Sequence, residues 1–294
     1  MMDDGLVCGL YWFGFRFKLK EYLYLVRLFQ RTQFKGAEFK NSLDQTLEIS
    51  PINKSRLYKF LLDNPHWQKD VAQWTAVINN QGGLCLNPLS EAYPKAFLNL
   101  DQPPLILSVQ GNICWQERPM LSVVGSRNPS RSSLMWMDQE LSSFAKKTNS
   151  ILVSGGARGV DQKAHSVSLR LNQPTISFIP AGLGAVYPFS FQEWISRIIE
   201  CGGAVVSQYH PQQEMRKFHF TERNELIAAL SPMSLIVEAR QRSGTLITAR
   251  AAMNMGNVVG VLPHFPGSQT MGGLNLLYDG AQMIRDHQDL MSHY

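Results

Sequence analysis

The chain has 294 residues, of which 44% are hydrophobic, and its formal net charge at pH 7 is +5. This length allows one large domain or two of moderate size, and the hydrophobic fraction excludes a disordered or fibrous protein. The four cysteines, Cys8, Cys85, Cys114 and Cys201, form no Cys-x-x-Cys pair, which argues against a zinc ribbon or a thioredoxin-like redox site.

The amino-terminal run from residue 5 to residue 17 is apolar and aromatic. It is too short to span a membrane and is interrupted by Arg16. Asp3 and Asp4 stand where a signal peptide would carry cations. We therefore expect this run to pack in a core or an interface, and we expect a cytoplasmic protein without membrane association.

Residues 1–82 are predicted to form a helical accessory domain. Lys20 to Gln30 is an amphipathic run, and His66 to Asn79 is a further helix. Between them, Ser50-Pro51 combines an N-cap residue with proline at the first helical position. A proline-rich connection follows, and residues 83–294 are predicted to form the second domain.

From about residue 105, short apolar segments alternate with helical ones. This alternation predicts an α/β domain with a doubly wound, mostly parallel sheet, which binds its ligands at the carboxyl ends of the strands. The predicted strands are 105–109, 120–124, 150–154, 174–179, 204–207, 234–238 and 258–262, and the predicted helices are 132–147, 159–171, 190–200, 222–230 and 245–255.

Gly125-Ser126-Arg127 directly follows one of these strands and precedes a helix. Glycine allows a tight turn, the amides at a helix start favour an anion, and the arginine guanidinium suits a phosphate. The pattern predicts a phosphate-binding turn. An ordinary strand-to-helix turn with a surface arginine would show the same residues.

A second glycine-rich turn runs from Ser154 to His165. Its spacing is not Gly-x-Gly-x-x-Gly and no ribose-binding acidic residue follows, so we expect no dinucleotide or other cofactor. Asp161 is interpreted as a residue that caps or orients the next helix. His165 is interpreted as structural, because no Ser or Cys nucleophile with a third orienting group stands out near it in the sequence. The histidines lack metal-ligand spacing, so no metal site is predicted.

The segment from Arg216 to Asn224 combines three cations with Phe218 and Phe220. Cations bind the nucleic-acid backbone, and exposed aromatic rings stack on bases. The alternative assigns both phenylalanines to the core, because residues i and i+2 of an extended segment point to the same side.

Ser243-Gly244-Thr245 begins a helix shortly after the strand that ends at Glu238. Two roles fit Ser243 and Thr245 equally well: capping the helix or contacting a phosphate.

Taken together and in this order, these segments resemble the DNA-processing protein A family (DprA, also called Smf). The resemblance covers about two thirds of the chain, from Leu84 to Asp289. The segments that match the family's motifs are 125–127, 154–165, 182–188, 220–224, 238–249 and 273–277.

The resemblance implies an extended Rossmann-like domain that dimerises and binds single-stranded DNA without catalysing a reaction. It further implies protection of incoming DNA in natural transformation and loading of the RecA recombinase. In the implied pocket, Arg127 and Lys217 bind phosphates and Phe220 stacks on a base. With the two glycine-containing turns included, the candidate DNA-binding residues are Gly125, Ser126, Arg127, Lys217, Phe220, Arg223, Asn224, Ser243, Gly244 and Thr245.

The chain departs from the family's pattern at four positions. Thr221 replaces the motif proline, Gln208 a glutamate and Met271 a serine. Glu225 replaces a cation, which makes the implied pocket less positive than is usual in the family.

Two other functions fit parts of the sequence. Ser243-Gly244-Thr245 is similar to the Gly-Gly-x-Gly-Thr loop of lysine-decarboxylase-like phosphoribohydrolases, which cleave nucleoside monophosphates. Ile247 and Thr248, however, occupy the region where those enzymes have their catalytic glutamate. The remaining alternative is an oligomeric scaffold with a vestigial phosphate site.

Overall fold

The computed structural model of the chain describes residues 6–113, 115–116 and 118–293. Asp3, Asp4, Gly5 and Cys114, which the sequence analysis considered, lie outside the described residues. By its internal contacts the chain divides into two compact units. Unit 1 comprises Met1–Ser108 and Gln208–Pro211, and unit 2 comprises Val109–Ser207 and Gln212–Tyr294. The domain boundary after residue 82 stays a prediction.

Unit 1 is mainly helical. The apolar amino-terminal run packs in its core as predicted, with Val7, Leu10, Phe15 and Phe17 all buried. Two 3₁₀ helices cover Gly9–Phe13 and Lys95–Asn99. The regular elements are α1 (Leu19–Thr32), α2 (Gly36–Gln45), α3 (Pro51–Asp63), α4 (Trp67–Asn80) and the strand β1 (Gly83–Leu86).

The start of α3 confirms the predicted helix signal. Ser50 Oγ accepts a hydrogen bond from the backbone amide of Asn53 at 3.2 Å, and Pro51 occupies the first helical position. Helix α2 was not predicted, because Lys35 at its N-cap provides no capping side chain.

Unit 2 alternates strands with helices, which confirms the predicted Rossmann-like α/β class. The strands are β2 (Leu107–Gly111), β3 (Met120–Val124), β4 (Ile151–Ser154), β5 (Thr175–Phe178), β6 (Ala204–Ser207), β7 (Met233–Ile236), β8 (Val258–Val261) and β9 (Gln282–Met283).

The described strands of unit 2 form a sheet in the order β2-β6-β5-β4-β3-β7-β8-β9. Every pairing from β6 to β9 along this order is parallel. In the register of the central pair, Leu121 lies opposite Met233 and Val124 lies opposite Ile236. Parallel strands place their carboxyl ends along one edge of the sheet, so the loops that follow them are neighbours.

Eight helices of unit 2 surround this sheet in the described part of the chain, with a π-helical turn over Met137–Leu141. They are α5 (Arg131–Trp136), α6 (Ser142–Thr148), α7 (Val160–Arg170), α8 (Gln192–Glu200), α9 (His219–Leu230), α10 (Gly244–Asn254), α11 (Met271–Tyr278) and α12 (His287–Ser292), and a 3₁₀ helix covers Phe189–Phe191.

The core of unit 2 explains why the central strands have continuous apolar runs. Side chains from β3, β4 and β7 pack with those of α6, α7 and α12, while α9 also contacts β3 and β4. Leu121, Val123, Leu152 and Leu235 are completely buried. The strands β1 and β9 and the helices α11 and α12 were not predicted. The two-residue strand β9 is too short and too exposed to give a periodic signal.

Candidate nucleic-acid interface

A cavity of about 360 Å³ lies at the carboxyl edge of the sheet. Residues that follow β3, β4 and β7 line it, together with the first turns of α9 and α10. Its lining consists of Val124, Gly125, Ser126, Arg127, Asn128, Ala157, Asp161, Phe220, Arg223, Asn224, Glu238, Arg240, Arg242, Ser243, Gly244, Thr245 and Thr248.

The turn after β3 is held by close backbone packing. A Cβ atom at Gly125 would lie 2.7 Å from Val160 Cγ2, so a larger residue does not fit there. The amide of Val160 donates to the carbonyl oxygen of Ser126 at 3.1 Å, and the amide of Asn128 donates to Ser126 Oγ at 3.1 Å. These contacts fix the loop while the next side chain, Arg127, remains exposed.

Arg127 lies over the ring of Phe220. The guanidinium carbon is 5.5 Å from the ring centroid, within the range of a cation–π contact. Phe220 is half-buried, and Tyr187 packs edge-on against it at 6.1 Å between ring centroids. An exposed cation and an accessible aromatic ring are therefore adjacent in this wall.

The two phenylalanines of the 216–224 segment have different surroundings. Helix α9 begins at His219, earlier than predicted, so the segment around Phe220 is helical rather than extended. Phe218 is 52% exposed. The alternative that placed both rings in the core is therefore wrong.

The floor of the cavity contains a buried ion pair. Arg223 Nη1 lies 3.8 Å from Asp161 Oδ2 and donates to the carbonyl oxygen of Phe178 at 3.1 Å, and both charged side chains are less than a tenth exposed. Burial raises the pKa of Asp161 to about 6, while the Arg223 charge acts to lower it. A Cβ atom at Gly155 would overlap the Arg223 guanidinium, so the backbone there must be glycine for the arginine to fit.

His165 holds the backbone of Gly155, which packs against Arg223. Its Nε2 donates to the carbonyl oxygen of Gly155 at 2.7 Å, because a carbonyl can only accept, and its Nδ1 lies 2.8 Å from Thr175 Oγ1. The ring is completely buried, and burial lowers the pKa of His165 to about 4. A neutral, buried ring with both nitrogens engaged agrees with the predicted structural role.

The wall after β7 uses its polar groups to position two helices. Buried Glu238 accepts hydrogen bonds at 2.9 Å from the amide of Ser130 and from Ser133 Oγ, at the start of α5. Asn224 Nδ2 donates to the carbonyl oxygen of Gly244 at 3.3 Å, which ties α9 to α10.

Ser243 stands at the N-cap of α10 without capping it. Its hydroxyl donates instead to the carbonyl oxygen of Arg240 at 3.0 Å. Thr245, in the first turn of the helix, is buried. The capping role considered for Ser243 is therefore wrong, and the phosphate contact considered for both residues stays a prediction.

The structure brings nine of the ten candidate residues to one cavity. Lys217 is the exception: it is exposed in the turn before α9 and does not line the cavity. The sequence analysis missed Arg240 and Arg242. The sequence does contain a signal for them: two of the three residues between Ala239 and Ser243 are arginines.

The charges of the lining favour an anionic ligand. Among the described residues, four arginines and two carboxylates line the cavity. Glu238 is held by the two serines of α5, and Asp161 by Arg223. Arg127 and Arg242 are both exposed. Planar guanidinium groups match the geometry of phosphate oxygens.

Two further properties concern the described residues as a whole. Nowhere among them do three or more His, Cys, Asp or Glu side chains come together as metal ligands would. None of the helices in the described ranges combines the length and apolarity that a membrane crossing requires.

Comparison with known proteins gives consistent matches. A sequence model described as "DNA recombination-mediator protein A" matches residues 85–294. Protein Smf of Synechocystis is 32% identical over 212 residues, which cover 70% of this chain and 53% of that protein, so the match spans about half of that relative.

Two solved structures are similar to this chain. The X-ray structure of DNA processing protein A from Streptococcus pneumoniae has a TM-score of 0.75 and 26% identity, covering 94% of this chain and 93% of that one. DNA processing protein A from Helicobacter pylori, described for its single-stranded DNA binding mode, has a TM-score of 0.64 and 30% identity. That match covers 71% of this chain and 94% of the other.

Proposed function

Because this chain belongs to the DNA recombination-mediator protein A family, we propose that it binds single-stranded DNA in the cavity at the carboxyl edge of the sheet. One observation carries the proposal: the exposed Arg127 guanidinium lies over the ring of Phe220. A phosphate site and a stacking surface are thereby adjacent, as a single strand with unpaired bases requires. The binding mode named for the Helicobacter pylori relative supports the same ligand.

Each wall of the cavity has a distinct role in this proposal. Arg127 and Arg242 bind phosphates, Phe220 stacks on a base, and Lys217 adds a cation outside the cavity lining. Arg223 acts differently from the role that the resemblance suggests. It supports the floor beneath Phe220, because its guanidinium is held by Asp161 and Phe178.

The experiment measures fluorescence anisotropy of a labelled oligothymidine in graded NaCl. We expect Arg127→Ala and Phe220→Ala each to weaken binding by about fivefold or more, since a phosphate contact or a stacked base contributes at least about 1 kcal/mol. Arg127→Ala should also flatten the slope of log K against log salt by about 0.7, because one phosphate contact is lost. Phe220→Ala should leave that slope unchanged.

Lys146→Ala is the matched control. Lys146 is exposed in the last turn of α6 and lies outside the cavity, and its loss changes the net charge as much as the loss of Arg127 does. Wild-type affinity and salt slope in both Arg127→Ala and Phe220→Ala would contradict the proposal.

We extend the proposal to a cellular role on the strength of the family. The chain acts as a cytoplasmic homodimer that protects incoming single strands in natural transformation and loads RecA onto them. A RecA ATPase assay on DNA coated with a single-strand-binding protein tests the loading step: the chain should shorten the lag, and Arg127→Ala should not. Light scattering on a sizing column tests the dimer.

The same family membership supports a binding protein rather than an enzyme. The carboxylates that line the cavity, Asp161 and Glu238, both hold protein groups in place. Incubation with nucleoside monophosphates and chromatography of the products should therefore yield no free base. Release of base that Glu238→Gln abolishes would support the phosphoribohydrolase alternative.

A further inference from the structure

A second, smaller cavity of about 110 Å³ adjoins the first. The two cavities share Arg127, Ala157, Phe220 and Arg223, so the Arg127–Phe220 contact forms a wall common to both. The residues that line only the second cavity are Gly156, Arg158, Pro180, Tyr187 and Pro188.

None of the described residues that line the second cavity is acidic. Besides the shared arginines it contains Arg158, whose side chain is exposed and makes no hydrogen bond or ion pair within the part of the chain that the structure describes. The first cavity, by contrast, includes Asp161 and Glu238. In the described lining of the second cavity, an anionic group therefore meets positive or neutral side chains.

The second cavity also presents an accessible aromatic ring. Tyr187 is 40% exposed, and its ring stands at 83° to that of Phe220. Phe189, two residues further along the chain, is 84% exposed. Exposed rings next to cations are the combination that single-stranded nucleic acid uses, since every base has a face that can stack.

We propose that this second cavity is a subsite for one further nucleotide of the bound strand. Arg158 binds its phosphate and Tyr187 stacks on its base, while Phe189 extends the aromatic surface outward. The inference rests on the proposed function, because the strand reaches this subsite across the shared wall of Arg127 and Phe220. It specifies the path of the strand along the protein surface.

The size and lining of the second cavity favour a nucleotide of the same strand over a separate ligand. It is about a third as large as the first and opens beside it, so it holds a phosphate and leaves the base against exposed rings. Its guanidinium groups point to a phosphate of either source, a free nucleotide or a polymer. The shared wall favours the polymer.

Length dependence of binding tests the subsite. Oligothymidines of about 2 to about 15 nucleotides compete against a labelled strand for the wild type, Tyr187→Ala and Arg158→Gln. The shortest strands, which occupy only the first cavity, should bind all three proteins equally. With longer strands both variants should lose about fivefold in affinity, and Arg158→Gln should also show a salt slope lower by about 0.7.

Two variants control for folding and for charge. Tyr187→Phe keeps the ring and should bind as the wild type does, and Lys146→Ala repeats the charge change of Arg158→Gln away from the site. Melting temperatures identify any unfolded variant, and Arg158→Gln, at an exposed position, tests the subsite even if Tyr187→Ala unfolds.

The outcomes separate the subsite from the first cavity. If Arg127→Ala weakens binding at every length while Arg158→Gln and Tyr187→Ala match the wild type at every length, the subsite is disproved and the proposed function stands. If Arg158→Gln and Tyr187→Ala lose the same affinity at every strand length, the subsite is also disproved. If neither Arg127→Ala nor Phe220→Ala changes binding at any length, the proposed function is contradicted, and the subsite with it.

Discussion

The cavity contains the same residue type in two opposite environments. Arg127, in the wall, is exposed and lies over an aromatic ring, whereas Arg223, in the floor, is almost completely buried beside Asp161. The wall presents charge to a ligand, and the floor uses charge to hold the protein together. Charge at a binding site therefore does not by itself identify a ligand contact: burial and existing partners decide between the two roles.

The strongest test of this difference is removal of the floor's carboxylate. Asp161→Ala should destabilise the protein by about 3 to 5 kcal/mol, because it leaves the Arg223 guanidinium buried without its counter-charge. Arg127→Ala should change stability by at most about 0.5 kcal/mol. Urea unfolding measures both, and equal effects would remove the distinction between wall and floor.

A double-mutant cycle sharpens this first result. In Arg223→Met the effect of Asp161→Ala should shrink, since no buried charge is left behind. Additive effects of the two substitutions would show that the pair is not coupled.

The pH dependence of stability tests the support under the floor. Burial lowers the pKa of His165 to about 4 from an ordinary value of 6.5, so the folded protein binds this proton less readily than the unfolded chain. The contribution of neutral His165 to the free energy of unfolding is complete above pH 6.5. It is lost as the pH falls towards 4, and the total loss is about 3 kcal/mol.

His165→Gln should remove this dependence, because glutamine does not titrate in that range. The measurement is the free energy of unfolding from pH 7 to pH 4, compared between the variant and the wild type. Asp161 titrates in the same window in both proteins and cancels in the difference. Parallel curves for the two proteins would contradict the buried, neutral state of His165.

A smaller effect is expected at the backbone beneath Arg223. Gly155→Ala places a methyl group where the Arg223 guanidinium lies, which should cost about 1 to 3 kcal/mol of stability through overpacking. Gly244→Ala is the matched control, because a Cβ atom there would lie 3.9 Å from the nearest side-chain atom. Calorimetry gives the melting temperatures of both variants. A higher melting temperature for Gly155→Ala than for Gly244→Ala would contradict this prediction.

The smallest effect concerns the charge outside the wall. Glu225 is exposed on α9 and follows Asn224, which lines the cavity. Glu225→Gln should strengthen oligonucleotide binding by about twofold at low salt, and the gain should disappear at high salt as the interaction is screened. Anisotropy titrations at the two salt concentrations measure it. A gain in affinity that persists at high salt would indicate a direct contact between residue 225 and the DNA rather than long-range electrostatic repulsion by Glu225.

The sequence predicted the architecture of unit 2 well, because its strands are continuous apolar runs with clear turn residues between them. Strand β3 was predicted with its observed bounds, Met120–Val124. Helix α2 was missed because its N-cap lacks a capping side chain. Strand β1 is mostly only partly buried, and strand β9 has only two residues, so neither gives a clear apolar pattern.

The candidate site could be predicted where its residues follow a strand. The turn at Gly125–Arg127 and the segment with Phe220 meet because parallel strands end at one edge. The role of Arg223 could not be predicted, since its burial depends on Asp161 and Gly155, which are remote in sequence. Arg240 and Arg242 were missed because they lie in the loop between β7 and α10, outside the Ser243-Gly244-Thr245 turn on which the prediction was based.

The cavity is assembled from segments that lie far apart along the chain, from Val124 to Thr248. None of these segments forms a binding surface before the sheet has brought the strand ends together. Affinity for an oligonucleotide is therefore also a measure of completed folding, since a partly folded chain has no site. By mass action, a saturating strand should raise the melting temperature of the native protein, and chains truncated before α10 should show no such response.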